Sequence, residues 1–164
     1  MDEKEKKVLE RLQRQCSRME CAPSDILRKA LAALENDGEA ARRVVDSLEE
    51  DGYLDEKRYA AALAREKSSL SGWGPYKIRQ ALSAKGISRE AADAALSEID
   101  GEKAAVKLAA VAAAKYKLLK GDPQCRLKLL KFLLSRGYDY PDAAAAAESA
   151  MDGSVDQQDL IPGS

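Results

Sequence analysis

Apolar residues recur along this chain at intervals of three and four. Leu27, Ala30 and Leu31 share one helical face, and the arrangement returns as Ile78, Ala81 and Leu82 and again as Leu129, Phe132 and Leu133. Corresponding positions are 51 residues apart, and the neighbouring text repeats with them: RKALAAL at 28–34, RQALSAK at 79–85, LKFLLSR at 130–136. A unit with one apolar face exposes that face when alone, so stacked neighbours must bury it. The pattern predicts three serial modules, with Leu27, Leu31, Ile78, Leu82, Leu129 and Leu133 as the buried columns.

Turn residues divide each module into three helices. In the middle one, Asp55 is placed to cap a helix reaching about Leu70, SGWGP interrupts, and Pro75 suits the first turn of the next. Gly86 fits a left-handed cap with Ile87 folding onto Leu82, and Ser88 caps a third helix from Arg89 to about Ile99. The last module repeats this grammar: Asp122-Pro123 opens a helix, Gly137 closes it, and Tyr138 folds onto Leu133. In the first module a helix from Lys4 to about Cys21 is followed by a longer turn, END before Gly38, and a helix from Glu39 to Asp51 closing on Gly52. The predicted fold is all-α, with three tandem three-helix repeats at 1–54, 55–100 and 101–151. Residues 152–164 lack periodicity and are expected to be a disordered tail.

Composition changes the picture little: 45% hydrophobic and 34% charged residues, with Ala, Leu, Lys, Arg and Glu in long runs, suit a helical protein. No apolar run approaches the roughly 20 residues that span a bilayer, and the start, MDEKEKK, is polar where a secretion signal is apolar. No membrane association and a cytoplasmic location are expected. Cys16, Cys21 and Cys125 are odd in number and form no CxxC pair, which predicts reduced thiols.

Charge is more informative. Residues 1–56 hold 10 basic and 15 acidic groups, residues 57–138 hold 17 and 7, and residues 139–164 hold 0 and 6. A basic centre between acidic ends favours a polyanion or an acidic protein groove, although long helices also need solvated faces. Catalysis is disfavoured. The chain has no histidine, no GxxxxGK[ST] and no GxGxxG, and its carboxylate pairs sit at helix ends. No metal or cofactor is expected.

The run LEEDGYLDEKRYAAALAREK at 48–67, then GWGPYKIRQALSAKGIS at 72–88 and KLLKFLLSRGYDY at 128–140, resembles the RecX family of bacterial recombination regulators. The resemblance covers about Lys6 to Met151 and is most specific at Gly52, Leu54, Asp55, Arg58, Tyr59 and Ala60 and at Trp73, Gly74, Ile78, Leu82, Lys85, Gly86 and Ile87. Pro75 stands where relatives often carry a basic residue, and AAAAAESAM at 143–151 is small where bulky aliphatics are usual.

The resemblance implies an elongated, curved stack of the repeats, without a cofactor, that binds the RecA filament on single-stranded DNA and restrains its growth, ATPase and recombination activity. Contact with the partner is expected from Lys57, Arg58, Arg65, Lys67, Trp73, Lys77, Arg79, Lys85 and Arg89. A weak direct DNA contact is possible through the same groups, and a monomer is the simpler state in the absence of a heptad seam. The alternatives are a direct nucleic-acid-binding helical protein and a helical adaptor for another protein.

Overall fold

The computed structural model describes residues 1–153, so most of the tail expected at 152–164 lies outside the described residues. Among the described residues the chain forms nine α-helices and no strand: α1 (Glu3–Arg18), α2 (Pro23–Ala33), α3 (Gly38–Glu50), α4 (Glu56–Ser69), α5 (Pro75–Ala84), α6 (Arg89–Ser97), α7 (Gly101–Leu119), α8 (Cys125–Ser135) and α9 (Tyr140–Met151). In chain order these are three triplets. Two helix ends differ from expectation: α1 stops at Arg18 rather than near Cys21, and α8 begins at Cys125 because Asp122 is spent in the preceding turn, accepting from the Gln124 amide at 2.8 Å.

The chain divides into two compact units, one of Met1–Ala62 with Leu82–Ala95, the other of Leu63–Ala81 with the residues from Leu96 onward. Helices α4, α5 and α6 contribute to both.

In the first unit α1, α2 and α3 close around Val8, Leu12, Ile26, Ala30, Val44, Val45 and Leu48. Glu5 is buried in this bundle and its charge is met by Arg43, whose Nη2 and Nε donate at 2.8 and 3.2 Å. Such a fork satisfies a carboxylate that would otherwise be costly to bury. Residues 82–95 are fastened to α2: Ser24 Oγ donates to the Lys85 carbonyl at 2.6 Å, and Lys85 Nζ reaches Asp25 at 2.9 Å.

The repeat columns need one correction. Ile78, Leu82, Leu129 and Leu133 are fully buried, but in the first triplet the buried residues are Ile26 and Ala30, while Leu27 and Leu31 are only half-buried. The cause is the turn after α2. There Glu35 and Asn36 are both left-handed, with φ of 55° and 63°, where the later triplets use a single glycine, Gly86 at 71° or Gly137 at 98°. The third helix of each triplet keeps strict spacing, because Asp37, Ser88 and Asp139 each accept from the amide three residues on, at 3.1, 3.2 and 2.8 Å. The extra turn residue therefore shifts α2 by one position, and Pro23 lies one residue further from Pro75 than the repeat demands.

In the second unit α7, α8 and α9 pack on one another around Ala112, Leu129, Leu133, Tyr138, Ala143, Ala147 and Ala150. The alanine face of α9 supplies buried surface without bulk. Against this bundle lies the segment joining α4 to α5. Gly74 N–H donates to the Arg136 carbonyl at 2.7 Å, Tyr76 N–H to the Gly137 carbonyl at 3.0 Å, and the buried Tyr138 hydroxyl to the Gly72 carbonyl at 3.0 Å.

Candidate functional site

The clamped segment positions Trp73. Its amide donates to the Lys67 carbonyl at 2.8 Å, and its neighbours Gly72 and Gly74 are buried, so the ring projects from a fixed backbone. Two ammonium groups sit over that ring: Lys67 Nζ from α4 lies 4.8 Å from the centroid and Lys77 Nζ from α5 lies 4.3 Å from it. Both distances are within the range of cation–π attraction.

A second station lies in the same unit. On α7, Lys107, Val111 and Lys115 follow one another at i, i+4 and i+8 and so share a face. Val111 abuts Gly72, where a Cβ would come within 2.7 Å of it, and the Lys107 Cε would stand 3.4 Å from the same point. Lys115 Nζ lies 4.8 Å from the Phe132 ring, and the Arg136 guanidinium 5.8 Å from it. Arg136 turns inward: its Nη2 bonds the Ser71 carbonyl, and its Nε is buried without a partner.

None of Lys67, Lys77, Lys107 and Lys115 has a carboxylate partner among the described residues. All four are half-buried, with their stems packed on protein. Three of these cations are held on rings and Lys107 lies against Gly72, all with their charge intact.

Of the residues singled out in the sequence, Lys67, Trp73 and Lys77 are brought together here. Arg65 and Arg79 belong to the same unit and are exposed; Arg65 edges a cleft of about 170 Å³ with Glu98, Asp100 and Lys103. Lys57, Arg58, Lys85 and Arg89 belong to the first unit. There Arg58 is tied to Glu20 at 2.6 Å and to the carbonyls of Gly52 and Tyr53, and Lys85 is tied to Asp25. The hydrogen bond from Lys85 holds the Asp25 carboxyl below its ordinary range, with Arg28 adding to the effect. Lys57 and Arg89 are exposed. Sequence reasoning missed Lys107, Lys115, Phe132 and Arg136. The period of α7 would have put the two lysines on one face, but nothing local placed that face beside Trp73.

Among the described residues no group of three His, Cys, Asp or Glu side chains is arranged to hold a metal. The cysteines are free thiols; burial, with Cys21 adjacent, pushes the Cys16 thiol up to about 12. No helix among the described residues is long and apolar enough to cross a membrane.

These features define an all-α protein of tandem three-helix units bearing a cationic, ring-held face. The family description "RecX, second three-helix domain" matches residues 55–96. The regulatory protein RecX of Escherichia coli is 38% identical over 101 residues, covering 58% of this chain and 57% of the relative. The regulatory protein RecX of Lactococcus lactis is 30% identical over 118 residues, covering 70% and 44%. The crystal structure of RecX from Lactobacillus salivarius, at 20% identity, superposes with a TM-score of 0.79 over 92% of this chain and 99% of that one, a likeness of fold. The chain belongs to the RecX family of regulatory proteins. It spans about half the length of the curated relatives it matches.

Proposed function

We propose that this chain regulates the RecA recombinase, binding the RecA filament on single-stranded DNA and restraining its growth, ATPase and recombination activity. Membership of the RecX family carries the reading. In this account the chain acts in the cytoplasm as a monomer of three modules, 1–54, 55–100 and 101–151, and the partner does the catalysis. The ring-held lysines of the second unit give the reading a surface, since an uncompensated positive array attracts a filament built on DNA.

The test is DNA-dependent ATP hydrolysis by RecA titrated with this chain. Hydrolysis should fall with increasing chain, and the chain alone should turn over no ATP. Full RecA turnover at saturating chain, together with no co-sedimentation with filaments, would remove the reading. Replacing Lys67, Lys77, Lys107 and Lys115 by Gln should weaken inhibition by at least about tenfold, equivalent to about 1.4 kcal/mol.

A further inference from the structure

An ion pair fixes a lysine and cancels its charge. A cation–π contact fixes it and leaves the charge available, because the ring offers a quadrupole and no formal negative charge. The second unit uses the latter device at both its stations: Lys67 and Lys77 on Trp73, Lys115 on Phe132, with Lys107 laid across Gly72 between them. Arg58 and Lys85 of the first unit, and Arg126 and Lys128 of the second, are instead neutralised by Glu20, Asp25, Glu148 and Asp122. The contrast is between these lysines, set on rings, and the cations of either unit that are set on carboxylates, and it marks the former as the ones left to receive negative charge.

Which anion fits follows from the cations chosen. Bidentate recognition of carboxylate or phosphate falls to the flat fork of arginine, which binds two oxygens at once, whereas lysine meets phosphate as a point charge. The arginine at this site has its fork turned inward onto the Ser71 carbonyl and the Phe132 ring. What remain are four half-buried, compact ammonium charges without a carboxylate partner among the described residues, which suit phosphate groups strung along a backbone. We infer that Lys67, Lys77, Lys107 and Lys115 form a site for the phosphodiester backbone of a nucleic acid, contacted directly by this chain. The inference rests on the filament reading for its setting, where such a backbone is present, but the contact itself requires no RecA.

The chain contains one tryptophan, and it is the ring of this site. A phosphate that draws Lys67 or Lys77 off the ring changes the surroundings of Trp73, so intrinsic fluorescence reports on this surface alone. The experiment uses the full chain without RecA and end-labelled oligonucleotides, a thymidine single strand in one arm and a hairpin duplex in the other, with polyglutamate as the acidic-polypeptide arm. Anisotropy and Trp73 fluorescence are followed as salt is raised.

Binding should weaken linearly in log–log form. Replacing all four lysines by Gln should lower the slope by about 3 on the single strand, about 0.7 per lost contact, or by nearer 4 on the duplex, about 0.9 per contact. The arm showing the larger loss of affinity identifies the source of the backbone. Should the fourfold variant lose helical signal, the pairs Lys67→Gln/Lys77→Gln and Lys107→Gln/Lys115→Gln should each remove about half of the slope change. An unchanged slope in folded variants, binding by anisotropy with no response from Trp73, or equal affinity for polyglutamate would each overturn the site. Oligonucleotide binding without RecA inhibition would leave the site standing and remove the filament reading; inhibition without oligonucleotide binding would do the reverse.

Discussion

Gly74 and Gly137 meet backbone to backbone. A Cβ on Gly74 would fall onto the main chain of Gly137 and Tyr138, and one on Gly137 would strike the main chain and Cβ of Lys77. Gly137 is also left-handed, at φ 98°. This contact fixes the Trp73 segment against the α8–α9 turn.

Gly137→Ala should therefore destabilise far more than Gly86→Ala, although the two glycines hold the same place in the repeat. At Gly86 the nearest atom to an added Cβ is 3.6 Å away, so only the left-handed conformation is penalised, by roughly 1–2 kcal/mol. At Gly137 the clash is added to that penalty. Urea midpoints of the two variants give the comparison, and equal losses would show the close approach to be unimportant.

The shifted register of α2 makes a second prediction. Ile26→Ala should cost about 2–5 kcal/mol, as should Leu82→Ala, while Leu27→Ala, at a half-buried position, should cost clearly less. The opposite order for Ile26 and Leu27 would restore an unbroken repeat.

Asp25 links acid stability to the Lys85 contact. Its carboxyl is held below the ordinary 3.8, so the folded state binds that proton less readily than the unfolded chain does. The contribution is complete above pH 3.8 and is lost as pH falls through the lowered value. Asp25→Asn should reduce the steepness of the stability loss on acidification below that point and, because the same contact holds the Lys85 ammonium above its ordinary 10.5, should also remove the stability that the parent chain loses as pH rises through the raised Lys85 value. Chemical denaturation across the acid range checks it.

Cys16 should resist alkylation. With its thiol pushed up to about 12, chiefly by burial, almost no thiolate forms near neutrality. Mass spectrometry of briefly treated native protein should find label on the half-buried Cys21 before Cys16, and denaturant should abolish the order.

Much of the fold is written locally. Asp55, Ser88, Gly86 and the 51-residue columns are short-range instructions, and the chain obeys them: Asp55 accepts from the Arg58 amide at 3.0 Å, and the Ile87 amide reaches the Leu82 carbonyl at 3.1 Å. Ile26 was hidden because its turn takes two left-handed residues, neither of them the glycine that advertises such a conformation. At the candidate site Trp73, Lys67 and Lys77 were legible as a local cluster. Lys107 and Lys115 were not, because Lys107 meets Gly72 only through packing between segments more than thirty residues apart, and Lys115 meets the ring of Phe132 on another helix.

The ring-held lysines separate two quantities that are often treated as one. A formal net charge of -1 describes how the whole molecule drifts in an electric field. It says little about what a nearby polyelectrolyte meets, because charges are screened within about 8 Å at physiological ionic strength, so that the local arrangement of charge and not its sum is what is felt at contact. Such a molecule can travel toward the anode in native electrophoresis and still be retained by a phosphocellulose column, its mobility set by the sum of its charges and its retention by their arrangement.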